Sequence, residues 1–332
     1  MNTPKRRVAK PRTHADGPRI KWSEFRPMYD YWGRELKRFY QLDTLSNAVD
    51  LYIRTKDRFI IQSIQAHMGP APITRLHFTL FQEGRYQLIF RLDALNTLKQ
   101  RASFAFVAAK NHQECSTVAA AEHRNLTLLN ERAPAHVVKP FRGGLIYLPD
   151  RHKRPDQVRE IFAYLTQWLP DYDELGVHKN LQFIVNVKPH HMFSVVESEK
   201  LRGIIVEIIA STFDPRLGTC MEMPEIASGD FVVKAGARGR LYLKLIACRR
   251  MENRIRPAKL IDQIMDANWR WGSSKLRLAP DNMETLFEAL ARAHGPEAAK
   301  EWVKQYLTAV RAKKFPDRRP GSLEALEQLV VQ

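Results

Sequence analysis

At 332 residues, with 44% apolar and 27% charged residues, the chain is long enough for one large or two modest domains of ordinary globular composition. No run of about 18 uncharged apolar residues is present to cross a membrane. The start lacks the apolar segment of a secretory signal, and Cys115, Cys220 and Cys248 lie too far apart for a zinc cluster, which points to free thiols in the cytoplasm. A net charge of +17 would draw polyanions at low salt through weak, nonspecific attraction.

Residues 1–21 are polar and Pro-rich, with Lys5, Arg6, Arg7, Lys10, Arg12, Arg19 and Lys21 against Asp16, and are expected to form a disordered basic tail. Residues 22–70 read as a helical extension. Trp22, Phe25, Met28, Tyr29, Trp32, Leu36 and Tyr40 recur at helical spacing as a packing stripe. Asp43 caps a second helix with Leu45, Val49 and Ile53 on one side. After the break at Gly69-Pro70-Ala71-Pro72, strands at 75–81 and 86–92 form a hairpin around the turn Gln82-Glu83-Gly84-Arg85. The apolar run from Ser103 ends in Lys110 and reads as a buried strand. The next run, 119–134, places Ala121, Leu126 and Leu129 at helical spacing and carries Glu122. Strands at 137–141 and 145–148 follow.

A charged linker at 149–155 leads to a helix at 156–168, with Val158, Ile161, Phe162, Leu165 and Trp168 on one face. A strand at 181–187 precedes a helix that begins at Ser194, where Ser194 and Glu197 fit a capping box. The loop 226–234 contains Gly229-Asp230 and runs into a strand at 240–248. Amphipathic helices then cover 257–268, 282–293, 297–312 and 323–331, three of them started by Asp281 with Glu284, by Pro296 and by Ser322. His190-His191 has no third ligand and reads as a solvated loop; Asp171, Asp173 and Glu174 read as an exposed acidic loop. No metal site is assigned. Nucleophile-elbow, P-loop and dinucleotide fingerprints are absent.

The strand ending in Lys110, followed by Glu122-x-x-Asn125-Leu126-x-Leu128-Leu129-Asn130 and the break at Ala133-Pro134, resembles the aminoglycoside and choline phosphotransferase group of the kinase-like superfamily. The resemblance covers about residues 75 to 250. It implies an α+β, two-lobed protein-kinase-like fold: an N-lobe sheet with one helix over 71–150, a hinge at 149–155 and a helix-rich C-lobe over 151–332. Lys110 and Glu122 would form the ion pair that holds nucleotide phosphates, and Gly84 would sit in the loop that covers them. With one glycine that loop is a weak phosphate cradle.

Gly229 and Asp230 match the Gly-Asp of the group's His-Gly-Asp motif, which makes Asp230 the implied catalytic base. Ser228 replaces the His, and Ala235 stands where a metal-binding Asn belongs. The next strand ends in Ile246-Ala247-Cys248 and Arg249-Arg250 rather than in an Asp. ATP is therefore the implied cofactor, while magnesium loses its protein ligands. The expected function is a pseudokinase or regulatory module that binds a nucleotide or a protein partner. Two alternatives stand beside it: an active small-molecule phosphotransferase using Asp230, and a basic nucleic-acid-binding protein, for which no RNA-recognition, helix-turn-helix or zinc-finger signature appears.

Overall fold

The structure, a computed structural model, describes residues 17–23, 42–55, 59–148, 159–178, 182–185, 191–271, 274–317 and 321–331. The first element corrects the sequence reading. Arg19, Ile20, Lys21 and Trp22 alternate outward and inward as strand β1 (Arg19–Trp22), where a basic tail and then a helix were expected. Its anchor is Trp22, which stacks on Phe78 at 4.3 Å and donates its indole N–H to Asp50 at 3.0 Å. Four residues are too few for the alternation to stand out beside the aromatic spacing that follows. The rest of that stripe, from Phe25 to Tyr40, lies outside the described residues, as do residues 1–16.

Helices α1 (Leu42–Thr55) and α2 (Ile60–Met68) come next, the first burying Leu45, Val49 and Ile53. Strands β2 (Ile73–Glu83), β3 (Gln87–Asn96) and β4 (Arg101–Ala109) then form an antiparallel meander. Helix α3 (Gln113–Arg132) crosses to β5 (Pro140–Tyr147) and β6 (Glu160–Gln167). The sheet order is β1-β2-β3-β4-β6-β5, antiparallel except for the parallel β1–β2 pair.

Strand β6 replaces the helix expected at 156–168. It lies between β4 and β5 and buries Ile161, Ala163, Tyr164, Leu165 and Thr166, so both faces are covered and the two-residue period of a half-exposed strand is lost. Its Ile, Phe, Tyr and Thr content suits a pleated strand. The expected hinge at 149–155 lies outside the described residues, but it joins β5 to β6, neighbours in one sheet. The chain leaves that sheet only after Gln167, past the expected boundary at 150.

Strands β7 (Asp173–Val177), β8 (Phe183–Val185) and β9 (His191–Met192) precede α4 (Val195–Thr212). The Ser194–Glu197 capping box closes the start of α4 as its sequence foretells. After β10 (Cys220–Met221) come the hairpin β11 (Phe231–Ala235) and β12 (Leu241–Leu245), then β13 (Met251–Glu252). A five-stranded sheet runs β12-β11-β7-β8-β9, and β10 pairs with β13. Helix α5 (Pro257–Asp266), the hairpin β14 (Asn268–Trp271) and β15 (Ser274–Arg277), and helices α6 (Met283–His294), α7 (Pro296–Arg311) and α8 (Ser322–Val331) complete the chain.

This mixed α/β architecture shares one apolar core across both sheets. Each large side chain buried there contributes roughly 1.5–3 kcal/mol. Helix α3 and the segment after it join the two halves. Val138 N–H donates to Leu245 O, and Leu245 N–H donates to His136 O, both at 2.9 Å. Asn125 donates to Cys248 O at 3.0 Å, and Arg132 donates to Thr212 O at 3.2 Å while pairing with Asp214 at 3.4 Å. The end of the β11–β12 hairpin and the residues that leave it are thereby held against α3 and the segment after it.

Candidate functional site

Two and a half turns into α3, Glu122 points inward with Ala119, Leu126 and Leu129 and is 2% exposed. One carboxylate oxygen, Oε1, accepts hydrogen bonds from Gln87 Nε2 at 2.8 Å and from the Tyr164 hydroxyl on β6. The other, Oε2, has no hydrogen bond and lies 3.8 Å from Arg249 Nε. The same guanidinium reaches Asp230, with Nη1 at 2.8 Å from Oδ1 and 3.1 Å from Oδ2. The Ala227 N–H donates to that Oδ2 at 2.8 Å. Arg249 therefore bridges a carboxylate on α3 to one in the loop just before β11.

Burial raises the pKa of Glu122, against the lowering effects of Tyr164, Gln87 and Arg249. Asp230 is likewise pushed up by burial, with Arg249 and the Ala227 amide opposing. Burial also drives the Tyr164 phenol well above its ordinary range, helped by the neighbouring Glu122. Burial works against the charged form of Arg249, but Asp230 and Glu122 outweigh it and raise its pKa. Cys248, buried beside this group, has its thiol pushed up to about 12 by desolvation and the two acids, which leaves it an inert core thiol.

The expected Lys110–Glu122 pairing is replaced by two separate pairs. Lys110 follows the last residue of β4, and its N–H donates to Tyr86 O at 2.9 Å. That position aims its amine at the end of β2, where Nζ lies 2.8 Å from Glu83 Oε1, with both side chains largely buried. Glu122, further along α3, finds Arg249 instead. The two pairs are close in the fold, because Gln87, which holds Glu122, stands opposite Ala109 in the β3–β4 register.

Gly84 closes a tight hairpin turn, its N–H donating to Gln87 O at 2.8 Å. A Cβ there would sit 3.6 Å from that oxygen, an ordinary contact, so the turn does not depend on glycine. Gly229 differs: a Cβ would collide with the Glu174 carboxylate, which also accepts from Gln82 Nε2 at 3.1 Å. The β2 end, β7 and the Asp230 loop thus meet around Glu174.

The acidic run does not gather into one site, since Asp171 pairs outward with Lys234 at 3.1 Å while Glu174 turns toward Gln82. The side chains of His190 and His191 lie outside the described residues. Among the described residues no three His, Cys, Asp or Glu side chains converge as metal ligands. Sequence reasoning missed Gln87 and Tyr164, the latter hidden in the segment read as a helix. It also missed Glu83 as a counterion, although its place in the turn beside the end of the Lys110 strand was visible.

No protein-family model matches the chain, and no curated protein matches it in sequence. A solved structure titled "Macrolide 2'-phosphotransferase type I" aligns with 89% of this chain and 99% of its own, at 12% identity and a TM-score of 0.38. At that level of likeness no residue role passes from one chain to the other.

Proposed function

We propose that the chain is a kinase-like regulatory module, a pseudokinase in which an arginine stands among the carboxylates where an active kinase would hold its metal. Support comes from the order of parts: a hairpin turn, a strand followed by Lys110, a helix carrying Glu122, a loop carrying Asp230 just before a hairpin, and Arg249 just after it. Active kinases place a lysine–glutamate pair, a loop carboxylate and a metal-holding Asp in such an arrangement. One observation carries the reading: Arg249 lies between Glu122 and Asp230, a cation placed among carboxylates.

Magnesium does not fit this donor set. Both oxygens of Asp230 are committed to Arg249, one of them also to the Ala227 amide, and a guanidinium repels a divalent ion. The residue five places after Asp230 is Ala235, which offers no side-chain ligand. Lys110 is held by Glu83 and would have to leave it to meet a phosphate. On this reading the cleft serves recognition, of a nucleotide through Lys110 and the Gly84 turn or of a protein partner, rather than phosphoryl transfer.

The test is γ-phosphate release from ATP by the full chain, with and without magnesium, in the native protein and in Asp230→Asn. The expected result is no magnesium-dependent turnover in either. Turnover that requires magnesium and disappears in Asp230→Asn would instead establish the active phosphotransferase. A rise in Tm with ATP that is lost in Lys110→Ala identifies a nucleotide as the ligand of the cleft; no rise with any nucleotide counts against nucleotide binding, though not against the fold.

A further inference from the structure

Helices α5 and α7 pack side by side, and the residues entering α5 and leaving α7 close a concavity of about 740 Å³. The pattern of α7 dictates its wall. Ala299, Trp302, Val303, Tyr306, Leu307 and Val310 face the core, which turns Glu301, Lys304, Gln305 and Thr308 toward the concavity. Arg254, Arg256 and Lys259 line the opposite rim, and Lys314 stands at the end. Arg254 holds a left-handed backbone at φ 62°, a conformation rare for a side-chain-bearing residue, fixed by the Ile255 N–H bond to Gly218 O at 2.8 Å.

These cations are not matched as others in the chain are. Lys259 pairs with the buried Asp262 at 2.8 Å, and the one acid on the wall, Glu301, accepts from Gln305 at 2.9 Å. Arg254, Arg256, Lys304 and Lys314 have no carboxylate within ion-pair distance among the described residues. By contrast Arg202 on α4, Arg292 on α6 and Arg311 at the last turn of α7 each hold an acid. Gathering four unmatched positive charges around one hollow creates a field that favours an anion there.

We infer that this groove binds a small ligand bearing several phosphate groups. Its volume falls within the roughly 300–1,000 Å³ of small-molecule sites. Two arginine forks and two lysines suit clustered phosphate oxygens. A single nucleic-acid strand fits less well, because such strands need aromatic faces on which bases stack. The aromatic ring of this groove, Phe315, has Tyr306 stacked on it at 6.3 Å and the Lys259 amine 5.4 Å from its centroid.

The test is calorimetric titration of the full chain with inorganic tripolyphosphate at near-physiological salt, alongside a single-stranded oligonucleotide and sulfate at matched ionic strength. Saturable tripolyphosphate binding is expected, weakened at least tenfold in the double variant Arg256→Glu, Lys304→Glu. Lys200→Glu, an exposed change on α4, should leave it unaltered, and sulfate should bind far more weakly. Arg256→Gln with Lys304→Gln supplies a milder second pair, and unchanged melting certifies the fold of each variant. Absence of tripolyphosphate binding overturns the inference, as does equal weakening by Lys200→Glu. An oligonucleotide that binds the same residues more tightly than tripolyphosphate overturns it in favour of a nucleic-acid strand.

Discussion

The molecule handles charge in opposite ways at two places. Between α3 and β11, two carboxylates at 2% exposure share one arginine and are supplied with hydrogen bonds by Gln87, Tyr164 and the Ala227 amide. Between α5 and α7, four cations stand around an open hollow with no acid to match them. The difference follows from desolvation. A charge removed from water loses several kcal/mol of hydration and must be matched where it lies, whereas water serves a charge at an open rim. The inner cluster is therefore tied to folding, and the outer one is free to serve binding.

Breaking the inner cluster should have the largest effect. Arg249→Met keeps volume but leaves Glu122 and Asp230 buried without their cation, and it should cost about 3–5 kcal/mol in urea unfolding. Arg249→Lys should recover only part, because an ammonium cannot reach both acids with the geometry of a fork. A loss below about 1 kcal/mol for Arg249→Met would mean that the bridge does not hold the two halves together. Lys110→Ala comes next, toward the low end of the same range, since it strands one acid, Glu83, where Arg249→Met strands two. Unfolding that is unchanged in Lys110→Ala would show Glu83 to be satisfied by water.

Proton linkage sets an acid of the inner cluster apart from Glu207 on α4, which pairs with His136 and Arg292. Glu122 has a folded pKa raised above its ordinary 4.5, chiefly by burial. Its contribution is fully present below the unfolded pKa and is lost as pH rises through the folded value. Glu207 behaves in the opposite sense. The hydrogen bond from His136 foremost, against some burial, with Arg292 assisting, lowers its pKa, so its contribution is present above 4.5 and fades as pH falls. Glu122→Gln should therefore flatten the decline in stability above pH 4.5, and Glu207→Gln should flatten the decline below it. Urea midpoints measured from about pH 2 to pH 8 check both, and a steeper decline in Glu122→Gln would contradict the buried-acid account.

How far these clusters could be read from sequence depends on how local their causes are. Helices α4 to α8 were legible because Ser194 with Glu197, Pro296 and Ser322 mark starts and the apolar stripes set the faces. Strand β6 was not, since a strand covered on both sides has no alternation to betray it. Lys110 and Glu122 were found as charged residues on the correct elements. Their counterions depend on which strand ends meet across 27 positions for Glu83 and Lys110, and across 127 for Glu122 and Arg249. Arg249 was visible only as a departure, a cation where the phosphotransferase pattern has an acid. Nothing in the spacing shows that it turns back toward α3.

The smallest expected effect lies at the groove, and its smallness is the point of contrast. Arg256→Gln with Lys304→Gln removes two charges that have no partner among the described residues, so stability should change by no more than about 0.5 kcal/mol. The sign should be favourable, because like charges around one hollow repel. That repulsion is screened over about 8 Å at physiological salt but reaches about 30 Å at 0.01 M, so the gain should appear at low salt and vanish as salt is added. Unfolding in urea at the two ionic strengths separates the cases. A loss above about 1 kcal/mol at either strength would mean that the two cations support the fold as Arg249 does, and the distinction between matched interior charge and unmatched surface charge would fail.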